Sequence, residues 1–182
     1  SLKNTVDPQA IISTYGADTA RWFMLSDSPP DREMQWTDAG VEGAFRFVNR
    51  LHRLVTDAAG ELPSVADFES GLPPSLGEGA QALRRAVHKA VAAVGEDIEV
   101  FRFNRGVARV YELANSLGGF EAKDAGDRWA LREGCEYLTR LIGPMMPHLG
   151  EALWERRFGR DPDIVGYPIT LDDQDYLVVG VV

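Results

Sequence analysis

The feature that most constrains the fold of this chain is a stripe of apolar residues with helical spacing between Gly40 and about Ala59. Its members recur at positions i, i+4, i+7 and i+11, and two neighbours widen it: Ala44, Val48, Leu51 and Val55, with Phe47 and Leu54 beside them. Residues at this spacing lie on one side of an α-helix, because about 3.6 residues complete one turn. The segment is therefore predicted to be an amphipathic helix with one buried face, capped by Thr37 or Asp38.

Three later segments repeat the helical period. Their apolar positions are Leu83, Val87, Ala90 and Val94 in the first, Val107, Val110, Ala114 and Leu117 in the second, and Leu131, Cys135, Leu138 and Ile142 in the third. Asn104 is predicted to cap the second helix, and the glycine pair at 118–119 to end it. The third is predicted to run from about Asp127 to Pro144, and Pro147 can open a last helix. The sequence therefore predicts an all-α fold, a bundle of four or five long helices.

Capping signals predict two short helices ahead of the bundle. Asp7 stands where an N-cap belongs, Pro8 can occupy the first helical position, and Gly16 can stop the helix. The stretch ADTARWFMLSDS predicts a second short helix, which Pro29 and Pro30 cannot continue.

Two segments lack the helical period. The range Gly60 to Gly79 is rich in turn residues and is predicted to be a long loop. After Gly159 the helical pattern ends, and the β-branched run from Leu177 to Val182 predicts a short strand without a partner. Because a single strand cannot satisfy its hydrogen bonds, we expect the chain to be part of a longer protein.

The composition limits the possible functions. A formal net charge of −9 argues against general binding to nucleic acid, which needs dense Lys and Arg, so any such contact must be local. The single cysteine excludes an internal disulfide framework and a multi-cysteine metal site. No apolar run approaches the roughly 20 residues that span a bilayer, and no signal pattern is present. We therefore expect a cytoplasmic protein.

The sequence contains no recognisable catalytic constellation. It has no phosphate-binding glycine loop and no metal-ligand spacing. His52, His88 and His148 are too far apart in sequence to form a motif, and His148 is predicted to be a capping or half-buried packing residue. Cys135 lies on the apolar face of its helix and is predicted to be a buried small hydrophobe. We therefore predict no catalytic residue and no metal site.

Positive charge is the remaining pattern. Arg46, Arg50 and Arg53 stand at i, i+4 and i+7, which predicts one narrow sector opposite the apolar stripe. Arg105 and Arg109 have related spacing. These residues could contact phosphates, or they could form an ordinary solvated face in which Arg46 and Arg53 pair with Glu42 and Asp57 of the same helix. Composition alone favours the solvated face.

Four separated motifs resemble leucyl-tRNA synthetase of the bacterial type. They are YGADTARWFMLSDSPP, WTDAGVEGAFRFVNRLHRLV, FNRGVARVYELANSL and GPMMPHLGEALWE, and they occur in the order of that family. The similarity covers nearly all of Ser1 to Phe158 and begins just after the position of the family's KMSKS signature.

The resemblance implies a domain organisation. Residues 1–38 would be the stem-contact segment that follows the catalytic domain. Residues 39–160 would be the helical anticodon-binding domain of a class I aminoacyl-tRNA synthetase, and residues 161–182 the start of a linker to a missing C-terminal region. Ser1 would be a remnant of the ATP-binding signature loop.

The resemblance also implies a function. The full-length enzyme would be an ATP-dependent ligase that joins leucine to tRNA(Leu), with ATP and Mg as its substrates. This chain would lack the catalytic and editing domains, hold no cofactor, and bind tRNA as a monomer in the cytoplasm, partnered by the missing domains and by no membrane. The tRNA-binding residues would be Arg46, Arg50 and Arg53, with Arg105 and Arg109 as weaker candidates. The alternative is a non-catalytic helical module for protein interaction or structure.

Overall fold

Seven α-helices and one β-hairpin form the part of the chain that the structure, a computed structural model, describes. The described residues are 6–27, 29, 32, 34–58, 62–64, 68, 75–157, 168–171 and 174–177. The helices are α1 (Pro8–Tyr15), α2 (Ala17–Asp27), α3 (Asp38–Ala58), α4 (Glu78–Glu99), α5 (Phe103–Gly118), α6 (Ala125–Ile142) and α7 (Pro147–Arg157). The predicted all-α class is confirmed. Most of the predicted loop at 60–79, and Ser1, lie outside the described residues.

The two short helices begin and end at the predicted signals. The Asp7 carboxylate accepts a hydrogen bond from the Gln9 N–H at 3.0 Å, and Pro8 fills the first helical position. Gly16 follows α1 with a φ of 85°, a conformation that favours glycine.

The long helix α3 buries the predicted stripe, with a small shift of its centre. It begins at Asp38, and the Thr37 hydroxyl accepts a hydrogen bond from the Gly40 N–H at 3.3 Å. The buried side chains are Val41, Ala44, Phe47, Leu51 and Val55, whereas Val48 and Leu54 are half-buried. Phe47 therefore takes the central place that the spacing alone gave to Val48.

Helix α2 packs into the same core as the long helices. The Trp22 ring is fully buried and stacks on Phe47 with centroids 5.2 Å apart. Its indole N–H donates to the Tyr111 hydroxyl of α5 at 3.1 Å, which satisfies the polar atom of a buried ring.

Helix α6 packs closely against α4 and α5 because it carries a glycine at the contact. A Cβ added at Gly134 would clash with the Leu117 side chain and lie 3.2 Å from that of Val87. Helix α6 buries Cys135, Leu138 and Ile142 completely, as the period predicted.

Two helix starts differ from their predictions. Helix α5 begins at Phe103 with Arg102 as its N-cap residue, so the prediction of Asn104 as the cap is wrong. Helix α6 begins at Ala125, because Asp124 accepts a hydrogen bond from the Asp127 N–H at 2.8 Å and caps the helix. At α6 two aspartates, Asp124 and Asp127, stand within a few positions, and the spacing does not choose between them. Helix α5 begins without a side-chain cap, so no capping signal marks its start.

The strand near the end of the chain has a partner. Strand β1 (Pro168–Leu171) pairs antiparallel with β2 (Gln174–Leu177), and Pro168 lies opposite Leu177. The prediction of an unpartnered strand is therefore wrong at Leu177, and the rest of the predicted strand lies outside the described residues. A hairpin satisfies the ladder hydrogen bonds within one short segment.

Candidate nucleic-acid interface

The three arginines of α3 have different surroundings. Arg46 is exposed and lies 3.7 Å from the Glu42 carboxylate, so this intrahelical pair forms as the solvated-face interpretation predicts. Within the described residues Arg53 forms no ion pair with Asp57 or any other residue, so the second pair of that interpretation is wrong.

Arg50 lies at the edge of the buried stripe and not opposite it. Its guanidinium donates to the Asn115 amide oxygen of α5 and stands over the Phe47 ring, 5.7 Å from the centroid. Position 50 follows the buried Phe47 by three residues, which places it about 60° from Phe47 around the helix and explains its place. The predicted common sector opposite the stripe is therefore wrong for Arg50.

A groove between α3 and α5 runs beside these arginines. Its volume is about 410 Å³, and it is lined by Arg50, Arg53, Leu54, Ala114, Asn115 and Gly118. The two guanidinium groups border a concavity that is open to solvent and also lined by Leu54 and Ala114. Charged donors at such a rim can hydrogen-bond phosphate oxygens.

Arg105 and Arg109 point to a buried carboxylate. Their Nε atoms lie 3.3 and 3.7 Å from the two oxygens of Asp97 on α4, and Arg109 also lies 3.8 Å from Glu112. Asp97 is 5% exposed, so these two cations compensate a charge that burial would otherwise penalise. Neither arginine lines the groove beside Arg50.

A polar cluster that sequence reasoning missed joins α2 to α7. The Asp18 carboxylate accepts a hydrogen bond from the Leu149 N–H at 2.7 Å, in the first turn of α7. Its other oxygen lies 2.9 Å from His148 Nδ1 and 3.1 Å from the Arg21 guanidinium. The cap is therefore Asp18, and His148 only contacts it with an exposed side chain, so its two predicted roles, capping or half-buried packing, are both wrong. The pairing spans about 130 residues of sequence, so no local signal marks it.

A second polar cluster lies between α4 and α6. Arg84 donates two hydrogen bonds to the Glu133 carboxylate, at 2.6 and 2.9 Å, and its guanidinium stands 5.1 Å from the centre of the Trp129 ring. The bonds to Glu133 raise the pKa of Arg84. His88 lies 3.4 Å from the same carboxylate. The group compensates a buried acid and joins α4 to α6.

The lone cysteine is inert in this fold. Cys135 is fully buried, and burial raises the pKa of its thiol to about 12. A thiol in this state is a poor nucleophile, because the thiolate is the reactive form. The prediction of a buried small hydrophobe is confirmed.

The helical part of the chain defines its class. Residues 80–177 match the family model described as the anticodon-binding domain of tRNA ligase, just over half of the chain. The chain belongs to this family of tRNA-ligase anticodon-binding domains.

Two curated relatives narrow the class further, because both are leucine–tRNA ligases. The chain is 56% identical to the one from Paramagnetospirillum magneticum, across 85% of the chain and 17% of the relative. It is 46% identical to that from Rhodospirillum rubrum, across 100% of the chain and 21% of the relative. The chain thus spans about a fifth of the length of the curated relatives it matches, and the predicted resemblance to leucyl-tRNA synthetase is confirmed.

Solved structures agree with the fold. The chain is similar to the LeuRS of Agrobacterium radiobacter K84, solved in a ternary complex with tRNA and LeuAMS. The TM-score is 0.72 at 25% identity, and the match covers 84% of this chain and 20% of that one. Methionyl-tRNA synthetase from Mycobacterium tuberculosis shares the fold, with a TM-score of 0.67 at 17% identity, over 84% of this chain and 35% of that one. In the described part of the chain, no helix combines the length and the apolar character needed to cross a membrane.

Proposed function

We propose that this chain is the tRNA-binding part of a leucyl-tRNA synthetase, the ligase that joins leucine to tRNA(Leu) with ATP and Mg. The family match, the leucine–tRNA ligase relatives and the similarity to a LeuRS solved with tRNA support the proposal. Its task is to hold the tRNA so that the acceptor end reaches an active site in another domain. Such positioning contributes through orientation and not through bond chemistry.

The proposed organisation keeps the three predicted segments. Residues 1–38 connect the bundle to a preceding catalytic domain, residues 39–160 form the anticodon-binding domain, and residues 161–182 begin a linker to a C-terminal region. We propose that the whole ligase is a cytoplasmic monomer.

The α3 arginines are the proposed tRNA contact, and the surroundings of Arg50 are the observation that supports it most. The Phe47 ring and the Asn115 amide hold its guanidinium at the groove, so less side-chain freedom is lost when a phosphate binds. Arg53 borders the same groove without an ion pair in the described part of the chain. Arg46 can leave the exposed Glu42 at a cost of only about 0.2 to 0.5 kcal/mol.

Arg105 and Arg109 are the weaker candidates. A phosphate that drew them away would leave the Asp97 carboxylate buried without compensation, which is costly. Their contribution to tRNA binding is therefore expected to be smaller than that of Arg50 and Arg53.

A matched pair of charge reversals tests this proposal. Arg50→Glu with Arg53→Glu is compared with Arg85→Glu and Lys89→Glu, which change the net charge equally at exposed positions of α4. The α3 variant should bind tRNA(Leu) at least about tenfold more weakly. The slope of its log affinity against log salt concentration should fall by the equivalent of about two phosphate contacts. The α4 variant should stay within about threefold of the parent. Equal losses in both variants, with folding intact, would mean that net charge alone governs binding.

The proposal also places catalysis outside this chain. The purified chain should give no leucine-dependent exchange of pyrophosphate into ATP, because the groups that activate leucine would lie in the catalytic domain of the whole ligase. A leucine-dependent rate above the blank would contradict this.

The second candidate, a protein-interaction module, has one observation in its favour. An apolar groove of about 300 Å³ lies along α1 and α2, and Ile12 and Met24 on its rim are 47% and 54% exposed. Within the main proposal this groove packs against the catalytic domain of the same ligase. Ile12→Glu with Met24→Glu should then slow leucylation by the whole ligase while the chain itself binds tRNA normally. Unchanged leucylation would favour an outside protein partner.

A further inference from the structure

The turn between α4 and α5 presents an aromatic ring to solvent from an unusual backbone position. Phe101 has a φ of 57° and is 67% exposed, and it follows Val100, which is 56% exposed. For an aromatic residue the left-handed region is sterically disfavoured, and such positions occur more often at functional sites than elsewhere.

The hydrogen bonds identify the turn as a Schellman motif. The Phe101 N–H donates to the Ile98 carbonyl at 3.0 Å, and the Arg102 N–H donates to the Asp97 carbonyl at 2.7 Å. In this motif the residue in the left-handed conformation is most often glycine. The chain has phenylalanine there, and the same two bonds hold the backbone that carries its side chain.

The neighbours of the ring support it from one side only. The Phe103 ring meets it edge to face, with centroids 5.9 Å apart and planes at 88°. Arg102 is exposed beside it and forms no ion pair within the described residues, unlike Arg105 and Arg109. The acidic neighbours Glu96 and Glu99 are exposed as well, so general attraction for a polyanion is weak here and a specific contact is needed.

We propose that Phe101 stacks on an unpaired base of the bound tRNA while Arg102 contacts an adjacent phosphate. A solvent-facing ring beside a guanidinium that forms no ion pair in the described part of the chain suits an unstacked nucleotide, because every base has an aromatic face and every linkage a negative charge. The turn lies within the stretch that matches the anticodon-binding family. The inference rests on the proposed function, since it needs a tRNA bound to this chain, but it uses residues outside the α3 groove.

Binding of tRNA(Leu) by the 182-residue chain tests the inference with substitutions that separate a ring from apolar bulk. Phe101→Leu keeps an apolar side chain and removes the ring, so affinity should fall roughly five- to hundredfold. Phe101→Trp should stay within about threefold of the parent. Phe45→Leu makes the same chemical change at an exposed ring on α3 and should have no effect.

Salt dependence separates the two proposed contacts. Phe101→Leu should leave the dependence of affinity on salt unchanged, because no phosphate contact is lost, whereas Arg102→Gln should reduce it by about one contact. A photoreactive benzoylphenylalanine at position 101 should cross-link to an unpaired nucleotide. Circular dichroism and thermal unfolding of each variant show whether it is folded.

The outcomes distinguish this inference from the proposed function. If the α3 variant loses tRNA binding but Phe101→Leu binds as the parent does, the stacking contact is wrong and the tRNA-binding role stands. If Phe101→Leu and Phe101→Trp lose affinity equally, base stacking is not the contact and the inference is overturned. If the cross-link forms only to protein, the turn contacts a protein surface and the inference is overturned as well. If the parent chain binds no tRNA in a salt-dependent manner, both fail.

Discussion

Replacing Asp18 by alanine should loosen the attachment of α2 to α7 and lower the stability of the whole bundle. The substitution leaves the Leu149 N–H buried without its acceptor, which costs about 1 to 3 kcal/mol. It also removes a negative charge from the N-terminus of α7, worth about 0.3 to 1 kcal/mol. The bonds to His148 and Arg21 add little, because both of those side chains are largely exposed. The expected loss is about 1.5 to 4 kcal/mol.

Thermal unfolding measures this loss directly. For a chain of this size each kcal/mol corresponds to about 2 to 4 °C, so the midpoint should fall by about 3 to 16 °C. Asp18→Asn keeps an oxygen acceptor for Leu149 and should lose less than half as much. Asp57→Ala removes an exposed carboxylate near the end of α3 and should change the midpoint by about 1 °C or less.

Two results would refute the reasoning about Asp18. If Asp18→Ala unfolds at the same temperature as Asp57→Ala, the long-range cap does not contribute to stability. If Asp18→Asn is as unstable as Asp18→Ala, the charge is the main contribution and the hydrogen bond to Leu149 is not.

Three further predictions concern other parts of the fold. Cys135 should resist iodoacetamide in the native chain up to about pH 9 and react at once in denaturant, because its thiol pKa is raised to about 12; rapid native alkylation by mass spectrometry would contradict its burial. Phe101→Gly should be about 1 kcal/mol more stable in urea unfolding than Phe101→Ala, because both remove the ring and glycine tolerates a positive φ better than alanine. Equal stability of the two variants would contradict the claim that the turn is strained at position 101. Arg84→Ala should lower the free energy of unfolding by about 2 to 4 kcal/mol, because the Glu133 carboxylate is buried and loses two hydrogen bonds. Arg85→Ala on the same helix should lower it by less than about 0.5 kcal/mol, and similar losses in urea unfolding would contradict the assigned pairing.

The helices were predictable because their signals are local. Asp7 with Pro8, the stop at Gly16 and the apolar stripe of α3 each act within a few residues, and the structure contains all of them. The exact starts of α5 and α6 were not predictable, because α5 begins without a side-chain cap and α6 has two aspartates that could cap it. Helical period likewise gave the buried side of α3 correctly and misplaced its centre by one residue.

The polar contacts were not predictable because they depend on which helices become neighbours. Asp97 looks like an ordinary helical acid in the sequence, yet it is buried and holds Arg105 and Arg109. Asp18 accepts a hydrogen bond from Leu149, which is 131 residues away in sequence. These pairings decide which arginines form ion pairs, so the sequence could propose and rank the candidate cations but could not give the physical reason for the ranking.

The positions of Arg50, Arg53 and Arg102 suggest how a chain of net charge −9 can bind a polyanion locally. Arg50 and Arg53 lie by the C-terminal end of α5, whereas Arg102 lies at its N-terminal end, and between them Arg105 and Arg109 pair with Asp97. The 13 residues from Arg102 to Asn115 span about 20 Å of helix. An RNA must therefore present two contact points at that separation to engage both ends of α5. A short flexible strand that reaches only one end gains little binding energy against the repulsion of the acidic surface. Under the proposed function, a rigid folded RNA satisfies this requirement, and the spacing of the two cationic ends selects for shape and not for base sequence.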